Sequence, residues 1–466
     1  MHHDLSDAAA IVLAAGKSTR MKSQLAKVLH PIMGKPMLAY PLDTLQDLGM
    51  GKIIVVIGHQ GESVQQRFRD YPVEFVVQEP QLGTGHAVQV AAEALDGREE
   101  TIIVLCGDVP LLLAETIREL YAQHGASGAA AHASVAQAGT AAATVLTAEL
   151  AEPGSYGRIV KDAAGQVLKI VEARDASPAQ LSIREINTGI YCFQADFLKE
   201  ALATLRPDND QQELYLTDVI AAARKRQLPV ASLMTADEAS FQGINTRVEL
   251  AAVTARLRRQ INERHMLAGV TLIDPEATYI ETEVAIGPDT VIYPNCYLLG
   301  LTEIGRDCLV EPNVKITDSR IGDHVTIKMG TVIAKSLVAD GAQLGPYAHL
   351  RPASDVREKA KVGNFVEIKK SVLHTGAKAS HLTYIGDAEV GEGTITCNYD
   401  GKHKHKTTIA AGAFIGSNTS LVAPVTIGAG AYVGAGSTIT KDVPPNTLGI
   451  SRGRQVNLKI KTSSKD

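Results

Sequence analysis

The stretch IAAGAFIGSNTSLVAPVTIGAGAYVGAGSTI, residues 409–439, decides the architecture of the second half of this chain. Aliphatic residues fall at every sixth position: Ile409, Ile415, Leu421, Ile427, Val433 and Ile439. Gly follows at Ile415-Gly416, Ile427-Gly428 and Val433-Gly434, and small or branched residues such as Val425 and Ala431 stand between. A period of six matches neither an amphipathic helix nor a half-buried strand. It matches a solenoid whose short straight sides each send one aliphatic residue into a shared interior. The same beat runs through Ile286, Ile292, Leu298, Ile304, Val310 and Ile316. After slips of one residue it resumes at Ile321, Ile327 and Ile333, then at Val338, Leu344, Leu350, Val356, Val362 and Ile368. The spacing predicts a β-helix of hexapeptide repeats over residues 270–466.

Outward from this repeat, composition narrows the rest. A chain of 466 residues is ample for two or three cores. A formal net charge of −5 gives no general reason to expect nucleic-acid binding. The absence of Trp suits a core of Ile, Val, Leu and Ala. Five scattered Cys, with no CxxC pair, argue against a disulfide framework or zinc site and for reduced thiols in a cytoplasm. The apolar run Ala8–Ala15 stops at Gly16-Lys17, which makes a poor signal peptide. No stretch reaches the ~18 apolar residues of a membrane span. A cytoplasmic protein with neither membrane nor nucleic-acid partners is expected.

The first half alternates strand and helix signals. Ala9–Leu13 is a short apolar run entering Ala14-Ala15-Gly16-Lys17-Ser18-Thr19-Arg20-Met21. A strand leading into such a loop can offer backbone N–H groups to phosphate, with Arg20 and Lys27 adding charge. The spacing is not that of a Walker loop, and an ordinary turn with solvated basic residues has the same appearance. Lys52–Ile57, Val73–Val77 and Thr101–Leu105 read as further buried strands, the last two entering Gln78-Glu79-Pro80-Gln81-Leu82-Gly83-Thr84-Gly85-His86 and Cys106-Gly107-Asp108-Val109-Pro110. Alternating elements predict a doubly wound α/β, Rossmann-like sheet that binds ligands at the strands' carboxyl ends. Gly16, Gly83 and Asp108 sit at such ends. Asp108 can hold a hard cation through oxygen or serve as a turn aspartate. Asn245, in Gly243-Ile244-Asn245-Thr246-Arg247, reads as a second oxygen ligand or as a helix cap.

These motifs together resemble a known family. Leu13-Ala14-Ala15-Gly16 with Thr19-Arg20-Met21 and Pro31 is similar to the signature of sugar-phosphate nucleotidyltransferases. Gln81–His86, Gly107-Asp108-Val109-Pro110 and Glu185-Ile186-Asn187-Thr188-Gly189 point within it to one group. That group is the bacterial bifunctional N-acetylglucosamine-1-phosphate uridyltransferases/glucosamine-1-phosphate acetyltransferases. The resemblance covers residues 8 to 455. It implies UDP-N-acetylglucosamine synthesis from UTP, acetyl-CoA, glucosamine-1-phosphate and N-acetylglucosamine-1-phosphate, which supplies peptidoglycan and lipopolysaccharide. It also implies a left-handed β-helix and a homotrimer with acetyltransferase sites between neighbouring subunits. By the same resemblance Leu13, Ala14, Ala15, Gly16, Lys27, Gln78, Gly83 and Thr84 hold UTP, with Arg20 and Lys27 neutralising phosphate oxygens. Asp108 and Asn245 hold Mg²⁺. Gly157, Glu172 and Asn187, with Asn245, grip the sugar phosphate.

Between the halves, Thr246–Leu267 lacks Pro and Gly and carries apolar residues at mostly helical spacing. The expected plan is a nucleotidyltransferase domain at 1–245, a helical linker at 246–269 and a β-helix at 270–466 with a basic tail. In the repeat, three breaks mark chemistry: His349-Leu350-Arg351-Pro352; Gly363–Lys370 followed by His381-Leu382-Thr383-Tyr384; and the polar excursion Asn398–Lys406. Acetyl transfer to an amine needs a base and oxyanion donors. The resemblance assigns the base to His381, with Glu367 orienting it. It gives Arg351, Lys369, Tyr384, Asn398 and Tyr399 to glucosamine-1-phosphate, and Lys404, Ser417, Ala435 and Arg452 to acetyl-CoA.

One departure stands out. Between Val390-Gly391 and Gly393-Thr394-Ile395 the family pattern holds one further hexapeptide, typically N-V-N-I-G-A. Its loss removes one side of the prism, which rotates every later side by a third of a turn unless the chain compensates. The alternative to the bifunctional enzyme is therefore a uridyltransferase whose β-helix is a trimerisation scaffold or a regulatory binding module.

Overall fold

The computed structural model describes residues 5–16, 19–58, 60–130, 140–209, 211–390, 406–416 and 419–453. They form two compact units, residues 1–255 and 256–466. In the first, nine strands make one mixed sheet: β1 (Ala8–Leu13), β2 (Lys52–Ile57), β3 (Glu74–Val77), β4 (Thr101–Cys106), β5 (Ala143–Glu149), β6 (Arg158–Lys161), β7 (Val167–Val171), β8 (Glu185–Gln194) and β9 (Val230–Thr235). Their order is β9-β5-β8-β4-β1-β2-β3, with β6 pairing β8 and β7. The β4-β1-β2-β3 stretch is parallel, and β8 runs antiparallel to both β4 and β5.

The central strands read as unbroken apolar runs because both sheet faces are covered. Ala9, Ile11, Ile54, Val56, Ile102 and Val104 face one core with α3 (Thr84–Ala92), α5 (Ala195–Leu202) and α6 (Asp218–Lys225). Their alternating neighbours Ala10, Val12, Ile53, Val55, Ile103 and Leu105 face the other, with α1 (Ala39–Asp47), α2 (Gly61–Arg67) and α4 (Ala114–Ala130). The expected doubly wound sheet is present. The strand expected at Val73–Val77 starts one residue later, and that at Thr101–Leu105 runs one further.

α7 (Arg247–Leu267) covers almost all of the predicted helical linker. Thr246 and Glu249 cap it reciprocally: the Glu249 N–H donates to Thr246 Oγ1 (3.2 Å), and the Thr246 N–H donates to Glu249 Oε2 (2.8 Å).

The second unit is a left-handed parallel β-helix. Three columns of inward aliphatic residues fill it, one per face. Ile286, Ile304, Ile321, Val338, Val356, Leu373 and Val390 are paired in succession along one face. Ile292 to Ala379 and Leu298 to Ile385 make the other two. Nearly all of these side chains are fully buried. The one-residue slips in the sequence beat leave the columns aligned, since Ile304 pairs Ile321 directly. Corners absorb the difference. They are turned by residues at positive φ, as at Asn295, Asn313, Tyr347, Phe365 and Leu382.

The shortened region behaves differently from the simple expectation of a rotated prism. Residues 391–405 lie outside the described set, but their flanks are paired: Glu389 opposite Thr408 and Val390 opposite Ile409. Ile409 in turn pairs Ile427. The face carrying the Ile286 column thus continues past the departure with no rotation, while among the described residues the other two faces are not paired across it.

Candidate active sites

In the first unit, three loops at the carboxyl ends of β1, β3 and β4 enclose a cleft of about 480 Å³. Its wall includes Leu13, Ala14, Ala15, Gly16, Lys27, Gln78, Gly83, Thr84 and Asp108. Every expected nucleotide residue therefore lines one cleft except Arg20, which is exposed in the 3-10 turn Thr19–Met21. The loops are tied by backbone bonds: Ala14 N–H to Val56 O (2.8 Å), Gly107 N–H to Leu13 O (2.9 Å) and Gln78 N–H to Ile57 O (2.8 Å). Gln78 Nε2 also donates to Gly83 O at 2.9 Å, and Gln81 Nε2 donates to Ala15 O. Gly83 is required where it stands. Its φ is +102°, and a Cβ there would meet Leu214 O at 2.7 Å.

Asp108 and Asn245 converge on one point, which the Lys27 ammonium holds: it donates to Asp108 Oδ2 and to Asn245 Oδ1 at 2.9 Å. The Ile244 N–H donates to Asp108 O (3.1 Å), lacing the two loops together, and Gly243 leaves room for the carboxylate. Asn245 does not cap α7 with its side chain. Its N–H donates to Glu249 Oε2 at 2.6 Å, which leaves Oδ1 turned to Lys27. Two oxygen donors already gathered around a cation suit a hard metal. Among the described residues no group of three or more His, Cys, Asp or Glu could hold one. A metal at this point would need further oxygens from its ligand.

Gly157, Glu172 and Asn187 also come together. The Asn187 N–H donates to Gly157 O (2.9 Å), and a Cβ on Gly157 would sit 3.6 Å from both Asn187 Cβ and Glu172 Oε1. Asn187 Nδ2 donates to the Tyr191 hydroxyl at 2.7 Å, and Thr217 Oγ1 donates to Glu172 Oε1 at 3.3 Å. Burial pushes the Glu172 carboxyl above the usual carboxylate range; the Thr217 bond opposes this and the nearby Asp175 and Asp218 add to it. Thr217, Tyr191 and Glu249 were not singled out from sequence, and Gln81 was quoted only within its motif, with no role. Glu249 could have been, since Thr246-Arg247-Val248-Glu249 has capping-box spacing. The others touch their partners only through the fold.

In the β-helix, β10 (Lys361–Lys369) and β11 (Lys378–Gly386) pair in parallel, with Glu367 opposite Tyr384 and Asn364 opposite His381. Glu367 is also opposite His349 on the preceding coil. Arg351 Nη1 donates to Glu367 Oε1 at 2.7 Å. Arg351, Glu367, Lys369 and Tyr384 thus share adjacent coils of one face. His381 precedes the corner at Leu382, is exposed, and stacks at the level of Asn364; the carboxylate expected to orient it is instead engaged by Arg351. Further along, a Cβ on Gly434 would meet the Arg452 guanidinium at 2.6 Å, and one on Gly416 would meet Ala435 N at 2.3 Å, so Ala435 and Arg452 lie on neighbouring coils. Asn398, Tyr399, Lys404 and Ser417 lie outside the described residues.

Comparison with known proteins respects the same division. Residues 10–205 match the model of the MobA-like NTP transferase domain. Residues 301–335 and 406–441 match the bacterial transferase hexapeptide (six repeats). The chain is 50% identical over 456 residues to the "Bifunctional protein GlmU" of Trichlorobacter lovleyi, covering 96% of each chain. The protein of that name from Syntrophotalea carbinolica is 51% identical over 461 residues, covering 98% of this chain and 96% of its own. That from Shouchella clausii is 48% identical, covering 96% and 97%.

Proposed function

This chain belongs to the bifunctional GlmU family, and on that premise we propose how its two sites divide the work of making UDP-N-acetylglucosamine. The protein is a bifunctional transferase. It N-acetylates glucosamine-1-phosphate with acetyl-CoA, then transfers uridylyl from UTP to N-acetylglucosamine-1-phosphate and releases pyrophosphate. A uridyltransferase with an inert β-helix is not favoured, because relatives about half identical span both halves. We assign the first activity to residues 270–466, the second to residues 1–245, and a linking role to residues 246–269.

In the first unit, the observation that carries the reading is the convergence of three strand-end loops on the Asp108–Asn245 pair. UTP would lie along the Leu13–Gly16 loop, with Gln78, Gly83 and Thr84 fixing its orientation. A phosphate oxygen of the sugar phosphate attacks the α-phosphorus, and the bond to the β-phosphate oxygen breaks. Alignment and neutralised charge supply most of the acceleration. Lys27 and Arg20 would neutralise phosphate oxygens, while Gly157, Glu172 and Asn187 would hold the sugar. Mg²⁺ on Asp108 and Asn245 would draw charge from the phosphate oxygens as a Lewis acid.

In the second unit, His381 would take the proton of the sugar amine as it attacks the thioester carbonyl; the acyl C–S bond then breaks and coenzyme A leaves as the thiol, taking up that proton. Arg351 and Lys369 would face the sugar phosphate with Tyr384, and the Arg351–Glu367 pair would have to loosen to admit it. Asn398 and Tyr399 would complete that subsite, with Lys404, Ser417, Ala435 and Arg452 on acetyl-CoA. A homotrimer is supported by the ridge Tyr347, Phe365 and Leu382, which are 48%, 56% and 73% exposed at left-handed corners. Bulky apolar residues in that conformation carry strain that burial against another copy offsets. No helix among the described residues is long and apolar enough to cross a membrane. We place the enzyme in the cytoplasm, supplying cell-wall precursors.

The test is two assays on one purified sample: thiol release from acetyl-CoA with glucosamine-1-phosphate, and pyrophosphate release from UTP with N-acetylglucosamine-1-phosphate. His381→Ala should lose the first and keep the second. Retained thiol release in that variant would overturn the assignment of the base.

A further inference from the structure

Lys27 occupies an unusual place for a residue expected to meet phosphate. Its ammonium donates to Asp108 Oδ2 and Asn245 Oδ1, and the two side chains of the ion pair are only 16% and 17% exposed. Both oxygens are fixed from behind. Asp108 is laced to Ile244 through the backbone, and Asn245 is held at its N–H by the Glu249 carboxylate. The protein has built a cation position and filled it with its own cation.

We propose that Lys27 keeps divalent metal out of this position until a nucleoside triphosphate draws it away, so that metal and nucleotide bind as one event. The inference rests on the reading of Asp108 and Asn245 as metal ligands. One carboxylate and one neutral amide offer a metal a single negative charge, and the ammonium already neutralises it. A divalent ion entering beside that ammonium meets like charge in a part-buried cleft, where screening is weak. Asp108 and Asn245 by themselves also offer it fewer oxygens than a hard cation takes. A triphosphate changes both conditions. Its oxygens attract the ammonium, which stands on a flexible stem in the wall of the same cleft. They also complete the metal's coordination. Coupling of this kind is reciprocal: nucleotide raises the affinity for metal as much as metal raises that for nucleotide.

The experiment titrates the full-length protein with Mn²⁺ in the absence of nucleotide and reads free Mn²⁺ by electron paramagnetic resonance. Lys27→Met should bind one Mn²⁺ at least tenfold more tightly than the unaltered protein. Lys27→Arg, which keeps the charge, should stay as weak as the unaltered protein. Adding Asp108→Asn to Lys27→Met should remove the gained binding. Equal affinity of the unaltered protein and Lys27→Met would overturn the inference, as would no binding by either. Tight binding that survives Asp108→Asn would instead sink the metal-ligand reading beneath it. A urea-unfolding transition of the first unit unchanged from that of the unaltered protein reports that each variant has folded, and Lys27→Ala replaces Lys27→Met if the latter fails that check.

Discussion

Thr217 Oγ1 reaches Glu172 across 45 positions of sequence, and this bond is where a single residue would act on the proposed sugar subsite. A hydrogen bond to a charged group is worth about 1.5–3 kcal/mol, less at 3.3 Å. Thr217→Val should raise the KM for N-acetylglucosamine-1-phosphate roughly fivefold and leave that for UTP unchanged; equal shifts in both would mean a general loss of structure. His124 gives a second residue-scale expectation. Burial pushes its imidazole down to about 4, and Nδ1 lies 3.0 Å from Thr144 Oγ1. The folded value lies below the unfolded one of about 6.5, so the unfolded chain binds more protons between these values. Stability conferred by the neutral ring is therefore present above pH 6.5 and lost as pH falls towards 4. From pH 7 to pH 5 this loss is about 2 kcal/mol. Urea unfolding of the first unit at both values should show that difference shrink by as much in His124→Gln. Glu172, Lys27, Asp108 and Asn245 were legible in sequence as loop residues, but Thr217, His124 and Thr144 were not, and neither were the pairings. Lys27 lies 81 positions from Asp108 and 218 from Asn245, and no local pattern encodes such distances.

At the scale of elements, the β-helix was the most readable part of the chain, because each side contributes one inward aliphatic residue and repetition makes the signal additive. The slips were harder. A side of five residues and one of six carry the same apolar mark, and only the corner conformation tells them apart. Ile333, fully buried between Ile316 and Leu350, should cost about 2–5 kcal/mol on replacement by Ala, read as a lowered unfolding midpoint of the second unit alone. Gly363 sets a stricter limit. A Cβ there would lie 1.7 Å from Ser380 O, so Gly363→Ala must part β10 from β11, the strands that carry Glu367 and His381. Acetyl transfer should fall at least tenfold in that variant while pyrophosphate release continues; unaltered acetyl transfer would show that the coil spacing does not set the site. The cap of α7 was equally present in the sequence, four residues long and passed over because its Asn245 neighbour drew the functional reading.

At the scale of the whole molecule, two compact units with separate cores predict separable losses. Asp108→Asn should abolish pyrophosphate release and leave thiol release and subunit mass untouched. On the proposed trimer, Leu382→Glu should lower the mass measured by light scattering from three times 49.5 kDa towards one; a constant mass would mean that the exposed ridge is not where copies meet. The plan of two catalytic halves was legible from motif order and repeat, while the fate of the shortened coil was not, because sequence counts residues and the prism counts stacked pairs. Val390 sits opposite Ile409 across the stretch where the sequence reading expects a hexapeptide to be missing. Stacked strands lie only ~4.8 Å apart, so a coil's ends are neighbours whatever length of chain joins them. The prism is thus a place where segments can be gained or lost without reframing the repeats beyond them. Lineages can try new loops at this rim by insertion and deletion, and a protein engineer can graft one there, with the distal coils left as they were.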